Sequence, residues 1–129
     1  MTQTGQFPTL DRANELMSEI IDEIPSAFFD DLHGGILLSP DKKMHRDSQV
    51  NRPLYIMGEY VRDVLGNQIK IYYGSFECIY PNTTETKLRE LLKKTLLHEF
   101  THHLEYKAGL KDLEVKDAED LKRYRSKKR

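Results

Sequence analysis

The chain has almost no means of cross-linking itself. It contains 129 residues with one cysteine, Cys78, and no tryptophan. A single cysteine excludes an internal disulfide and is typical of a reducing compartment, so we expect a cytoplasmic protein. No apolar run approaches the roughly 18 residues of a membrane span. Residues 1–7 also lack the basic and apolar regions of a signal peptide.

Neither sign of charge is in excess. The formal net charge is −1 at pH 7, so bulk electrostatics favour neither a nucleic acid nor a membrane surface as partner. Residues 122–129 are basic and could touch phosphate, but a short positive run at a chain end is usually solvated. We therefore expect no membrane partner and no nucleic-acid partner.

The length predicts a single domain over residues 1–129, with residues 1–8 and 122–129 as frayed ends. Such a chain can bury a real core but is too short for an enzyme with a cleft between two lobes. Any active site must therefore be an open groove or a shallow pocket.

The strongest chemical signal is the pentapeptide His98-Glu99-Phe100-Thr101-His102, an HExxH motif. One turn of helix brings residues four apart onto the same face, so the two imidazoles can converge on one cation with Glu99 beside them. The alternative is a chance match, in which these are ordinary polar residues at the rim of a core. The surrounding sequence decides between the two.

That surrounding sequence predicts a long amphipathic helix. Asn82 stands three residues before Glu85, as in a capping box, and Gly109 with Leu110 predicts a C-terminal stop. At about 100° per residue, the motif falls at the border of the apolar arc and should face the body of the protein. The residues of that arc are Leu88, Leu91, Leu92, Leu96, Phe100 and Leu104.

Shorter elements precede this helix. Apolar spacings of three and four predict a helix over residues 10–24, ended by Pro25, and a short helix over 26–32. Strands are predicted at 36–38, 54–61 and 69–73, and the polar stretch 40–53 reads as a surface loop. Strand 69–73 either offers a free edge to an extended peptide or is an ordinary hairpin partner with both edges occupied.

The motif predicts the chemistry of a metal-dependent hydrolase. His98 and His102 would bind Zn²⁺ at about 2.0–2.1 Å, and a third protein ligand and a water would complete a tetrahedral site. The metal lowers the pKa of that water to about 7, and Glu99 would be the general base that moves its proton to the leaving amine of a peptide. Two histidines and a carboxylate also accept other divalent ions.

The third ligand is the least determined part of this site. Glu105 lies on nearly the same side of the helix as His98, but three ligands on one straight helix surround a tetrahedral ion poorly. A carboxylate that returns after Gly109 approaches from another side. Asp117 is the favoured candidate, and Glu114 and Glu119 also qualify. The alternative role of Asp117 is the N-cap of a separate last short helix, which the acidic cluster after Gly109 predicts.

The run Leu96-Leu97-His98-Glu99-Phe100-Thr101-His102-His103-Leu104, preceded by Ile69-Lys70-Ile71-Tyr72-Tyr73-Gly74, resembles the small bacterial zincin-like metallopeptidases, or minimal zincins. The resemblance implies an α+β fold, in which a small mixed sheet packs against an N-terminal helix and a long HExxH-bearing helix. It also implies zinc ligation by His98 and His102 and catalysis by Glu99. The chain departs from the family pattern at Leu104-Glu105, where the family has a glycine and then an acidic ligand.

Two functions follow as hypotheses. The first is a zinc-dependent peptidase that acts on a peptide or protein substrate. The second is a non-catalytic module that keeps the metal as structural support, or has lost it, and binds a protein or peptide partner.

Overall fold

The computed structural model describes residues 7–64 and 66–127, with side chains for 7–64 and 66–110. The predicted α+β class is confirmed, because a small mixed sheet packs against an N-terminal helix and the long helix that carries the motif. The elements are α1 (Leu10–Asp22), a 3-10 helix (Ser26–Phe29), β1 (Gly35–Ser39), β2 (Lys43–Met44), β3 (Tyr55–Ile56), β4 (Gly58–Asp63), β5 (Gly66–Tyr72), α2 (Tyr73–Ile79) and α3 (Glu85–Lys127).

The main sheet has three strands in the order β1-β5-β4. Strand β1 runs parallel to β5, and β4 runs antiparallel to β5. The two short strands β2 and β3 pair separately with each other. Both edges of β5 are therefore occupied, so the structure bears out the second of the two alternatives for residues 69–73, an ordinary hairpin partner. In the described chain, the free edge beside α3 belongs to β4.

The core lies between the sheet and the two main helices. Alternation along β5 buries Ile69 and Ile71, as its period of two predicts. The inner faces of α1 and α3 supply most of the remaining core side chains: Ala13, Leu16, Met17, Ile20, Leu88, Leu92, Leu96 and Phe100. The motif is thus carried by a helix whose other face is fixed in the core.

Helix α3 begins two residues later than a cap at Asn82 would require. The helix starts at Glu85, and the backbone N–H of Lys87 donates to Thr84 Oγ1 at 3.1 Å. Thr84 is therefore the N-cap, because its hydroxyl satisfies an N–H that has no partner within the helix. The first turns are also tied to the end of α1, because its C-cap residue Glu23 pairs with Arg89 at 2.6 Å and with Lys93 at 3.0 Å.

Helix α3 does not end at Gly109, and that prediction is wrong. Its backbone continues to Lys127. A glycine inside a helix costs only about 1 kcal/mol relative to alanine, and no proline follows it to stop the helix. The predicted separate last helix with Asp117 as its N-cap is therefore also wrong.

Helix α2 was not predicted from the sequence. Its Gly74 lies so close to the preceding loop that a Cβ there would be 2.6 Å from Lys42 N. The buried Ser75 accepts a hydrogen bond from Lys43 N at 3.0 Å. These contacts fix the start of loop 40–53 on α2.

No helix in the described part of the chain is long and apolar enough to cross a bilayer.

Candidate active site

The imidazoles of His98 and His102 point at each other from successive turns of α3. Their ring centroids are 4.8 Å apart with an interplanar angle of 86°, and their Nε2 atoms are 3.2 Å apart. Both side chains are exposed. The expected inward orientation therefore does not hold for the rings, which converge at the surface of a groove.

The spacing of these two nitrogens fits a shared zinc ion. Two Zn–N bonds of 2.0–2.1 Å at a tetrahedral angle separate their nitrogens by about 3.3–3.4 Å. The observed Nε2–Nε2 distance of 3.2 Å is close to that value. Neutral imidazole nitrogens are also the donors that zinc accepts most readily after thiolates, so both the geometry and the donor set suit this metal.

Glu99 is the buried member of the motif. Its side chain is almost fully covered, and this burial raises the pKa of Glu99, with a further increase from the neighbouring Glu59 carboxylate; His98 and His102 act in the opposite direction. A carboxyl group whose pKa is raised toward neutrality is better matched to taking and returning a proton. Its position beside both imidazoles suits that role.

Strand β4 lies so close to the motif that a side chain at position 58 would force its neighbours to move. A Cβ on Gly58 would lie 2.9 Å from Thr95 Cγ2 and 3.3 Å from Glu99 Cγ. Because these distances are shorter than van der Waals contact, Gly58 lets the edge strand lie directly against the motif. Nothing in the local sequence around Gly58 indicates this contact, since it joins residues far apart in the chain.

The edge of β4 presents free backbone groups next to the motif. Tyr72 N donates to Met57 O at 2.8 Å, and in an antiparallel ladder such hydrogen-bonded pairs alternate. In this register the next hydrogen-bonded pair is Glu59 with Lys70. The N–H and C=O groups of Gly58 and Tyr60, which lie between hydrogen-bonded pairs, therefore point away from β5. These groups are available to an extended chain.

His103 is the buried histidine that follows the motif. Its Nδ1 is 2.6 Å from Tyr60 Oη, and its Nε2 is 2.8 Å from Asp30 O. Since a carbonyl only accepts, Nε2 carries the proton and Nδ1 accepts from the Tyr60 hydroxyl. Both ring nitrogens are thus used, which ties α3 to β4 and to the end of the 3-10 helix.

Glu59 is a further acidic residue at this site that sequence reasoning missed. Its Oε1 accepts from Lys43 Nζ at 2.7 Å and from Tyr72 Oη at 2.5 Å. Burial raises the pKa of Glu59, but these two hydrogen bonds outweigh it, so the net pKa is lowered. Alternation along β4 does indicate that Glu59 lies on the face opposite to Gly58 and Tyr60, but not that it borders the motif.

The structure does not bring a third acidic, cysteine or histidine side chain to His98 and His102 among residues 7–64 and 66–110. Glu105 lies near them and borders the groove at His102. The side chains of Asp117, Glu114 and Glu119 lie outside the described side chains. Along an unbroken α3, the Cα of Asp117 is about 22 Å beyond that of His102, so ligation by Asp117 requires the chain after Gly109 to leave this helical course.

Two cavities meet at Glu99. One of about 440 Å³ extends from His98 toward the start of α3, and its lining is largely apolar: Ile56, Met57, Gly58, Phe76, Tyr80, Leu91, Lys94, Thr95, His98 and Glu99. The other, of about 560 Å³, extends from His102 along β4 and is lined by Glu59, Tyr60, Arg62, Glu99, His102, Glu105 and Tyr106. We call these the apolar cavity and the charged cavity.

Comparisons with known proteins give a family and a structure of similar fold. A family model described as zincin-like metallopeptidase matches residues 38–122, which include β4, β5 and the whole motif. A solved structure of a conserved hypothetical protein from Thermus thermophilus superimposes with a TM-score of 0.64 at 28% sequence identity, and the match covers 78% of this chain and 98% of that one. A search of proteins with curated functions found no match.

Proposed function

Because the chain belongs to the zincin-like metallopeptidase family, we propose that it is a zinc-dependent peptidase. The observation that carries the proposal is the convergence of His98 and His102, with Nε2 atoms 3.2 Å apart, beside the buried carboxyl of Glu99. In this proposal the two imidazoles hold the metal and Glu99 is the general base.

Each residue has a separate task in the reaction. A zinc ion held by the imidazoles would lower the pKa of a bound water to about 7 and polarise the scissile carbonyl. Glu99 takes a proton as the water attacks and returns it to the leaving nitrogen. Burial of Glu99 supports this role, because a poorly solvated carboxylate has a stronger affinity for the proton.

The free edge of β4 supports a peptide as the substrate. The N–H and C=O groups of Gly58 and Tyr60 are oriented away from β5, as argued above, and can form a ladder with an extended chain. Because Gly58 lies against Glu99, a peptide bound in this way passes directly over the motif. Main-chain recognition of this kind tolerates many sequences, and side-chain cavities add the selectivity.

The third ligand is part of the same proposal. We expect metal binding to break α3 after Gly109, so that a carboxylate from that part of the chain reaches the ion, with Asp117 favoured and Glu114 and Glu119 as alternatives. Glu105 is the candidate that needs no such break. Asp117→Asn should lower zinc affinity about 10-fold or more, while Glu105→Gln leaves it unchanged; equilibrium dialysis with metal analysis measures both. The reverse result would assign the ligand to Glu105 and remove Asp117.

The decisive experiment uses Glu99→Gln. The zinc-loaded protein is incubated with a mixed peptide library, and products are identified by mass spectrometry. We expect cleavage by the unaltered chain and a loss of about 100-fold or more in kcat for Glu99→Gln, because general-base catalysis contributes at least that factor. The matched control is Glu90→Gln, which changes an exposed glutamate that pairs with Lys87 on the same helix.

The outcomes separate the two candidate functions. Turnover retained in Glu99→Gln would remove Glu99 from the base role. Zinc bound at one ion per chain without cleavage of any peptide would favour the second candidate, a metal-supported module that binds a peptide along β4.

A further inference from the structure

The two cavities differ in chemistry, so the two ends of the groove favour different substrate side chains. The apolar cavity carries Ile56, Met57, Phe76 and Leu91, whereas the charged cavity carries Arg62, Glu59 and Glu105. A volume of about 440 Å³ lies within the range of pockets that enclose a small ligand group. An apolar side chain of a substrate is therefore favoured on the His98 side of Glu99 and not on the His102 side.

Lys94 adds one positive charge to the apolar cavity. Among the described residues that line it, Lys94 is the only lysine or arginine. It stands four residues before His98, so it shares a helix face with both imidazoles and lies about 6 Å from His98 along the axis.

The charge of Lys94 has no counterpart in the described side chains. The nearby cations Lys87, Arg89 and Lys93 pair with glutamates on their own helix or on α1, while Lys94 pairs with none of residues 7–64 or 66–110. The one carboxylate among the residues that line the cavity is Glu99, the proposed general base, and it forms no ion pair with Lys94. A ligand that carries an anion beside an apolar group would therefore place the anion near the Lys94 ammonium, which has no ion-pair partner among the described side chains.

The direction of a bound peptide follows from the edge of β4. Antiparallel pairing is slightly more stable per residue than parallel pairing, so a substrate should run opposite to β4, from Arg62 toward Gly58. The residues after the scissile bond then enter the apolar cavity. At about 3.3 Å per residue, the distance of about 6 Å between the turns of His98 and Lys94 corresponds to roughly two residues.

We propose that this site removes one or two residues from the C-terminus of peptides, that the apolar cavity takes an apolar last residue, and that Lys94 binds its free carboxylate. The inference rests on the proposed peptidase function and specifies its substrate class. The reaction is plain hydrolysis: the oxygen of water bonds to the carbonyl carbon, the C–N bond breaks, and the leaving nitrogen takes up a proton.

The test compares matched peptides with the zinc-loaded protein. One pentapeptide of four alanines and a C-terminal leucine is used as the free acid and as the C-terminal amide. We expect kcat/KM for the acid to exceed that for the amide at least about 10-fold, and Lys94→Met to reduce the ratio to near one. Lys93→Met is the matched control and should keep the ratio, because Lys93 pairs with Glu23 and does not line the apolar cavity.

A second measurement does not depend on turnover. The protein stripped of metal is titrated with N-acetyl-leucine and with its amide, and binding is followed by NMR. The acid should shift the amide signals of residues around Lys94 and Leu91, and the shift should be lost in Lys94→Met but not in Lys93→Met.

The outcomes distinguish this inference from the function it rests on. Equal cleavage of acid and amide, cleavage only in the interior of longer peptides, or a ratio that survives in Lys94→Met would overturn the C-terminal specificity and leave the peptidase intact. No cleavage of either peptide or of a library would overturn the peptidase function and this specificity together.

Discussion

His102 and His103 are consecutive in the chain, yet the fold uses them in opposite ways. The ring of His103 is fully buried, and both of its nitrogens have partners on other elements, Tyr60 and Asp30. The ring of His102 is exposed, and the neighbour of its Nε2 is the ring nitrogen of His98. A rotation of about 100° between adjacent helical residues is enough to produce this difference.

The two environments separate a structural histidine from a candidate ligand. A buried ring must satisfy both nitrogens within the protein, because an unpaired polar atom there costs about 1–3 kcal/mol. An exposed ring has no such need, so two exposed rings whose nitrogens converge indicate a site for a cation. The comparison predicts that His102 governs metal binding and His103 governs stability.

The largest expected effect is the loss of metal from His102→Ala. A change to a group that merely orients a ligand costs about 10–100-fold in metal affinity, so removal of a ligand should cost at least about 100-fold. The free energy of unfolding of the metal-free protein should change by less than about 0.5 kcal/mol, because the side chain is exposed. Zinc competition with a chromophoric chelator and urea unfolding measure the two effects.

The complementary change is His103→Ala, which should destabilise the fold by about 2–3 kcal/mol. It leaves the Tyr60 hydroxyl without its partner and removes one of the two donors to the Asp30 carbonyl, the other being Lys107 Nζ at 3.2 Å. Tyr60→Phe is the milder control and should cost about 1–2 kcal/mol. Urea unfolding in the presence of chelator gives both values. A His103→Ala protein as stable as the parent would contradict a structural role for His103.

Gly58→Ala tests the contact that brings the edge strand to the motif. A Cβ at 2.9 Å from Thr95 Cγ2 forces a shift, and overpacking of this kind costs about 1–3 kcal/mol. Thr95→Ser removes that methyl group, so the double variant should recover part of the lost stability. Thermal unfolding of the two single variants and the double variant completes the cycle, and purely additive losses would contradict a direct contact.

The smallest expected effect concerns Glu59, whose partners Lys43 and Tyr72 support the outer face of β4. Because the pKa of Glu59 is lowered in the folded state, its ionised carboxylate stabilises the fold at pH values above the ordinary glutamate pKa of about 4.3. This stabilisation is lost as the pH falls through the folded pKa. Glu59→Gln should cost about 1 kcal/mol at pH 7 and less at pH 3. Urea unfolding at both pH values checks this, and an equal cost at both would exclude a charge effect.

Much of the fold was predictable because its signals are local. The periodic apolar residues before Pro25 and around the motif predicted α1 and the body of α3, and alternation at Ile69 and Ile71 predicted β5. The motif itself identified His98, Glu99 and His102 as neighbours, since their proximity follows from one turn of helix. Each of these signals is contained within a single element.

The remainder depends on contacts between elements that no local pattern encodes. Strand β4 lies at an edge of the sheet, whereas β5 does not, because β1 occupies the other side of β5. The partners of His103 are Tyr60 and Asp30, which are remote in sequence. Gly109 was read as a stop because glycine often follows a helix, but its neighbours favour helix strongly enough to continue through it.

The proposed peptidase depends on one zinc ion bound jointly by the imidazoles of His98 and His102 beside Glu99. The most direct measurement is anomalous diffraction at the zinc edge from crystals grown with zinc. The account predicts one strong peak within about 2.1 Å of both Nε2 atoms, together with a third protein ligand. Fully ordered rings with no peak between them, or a zinc ion bound elsewhere in the chain, would contradict it.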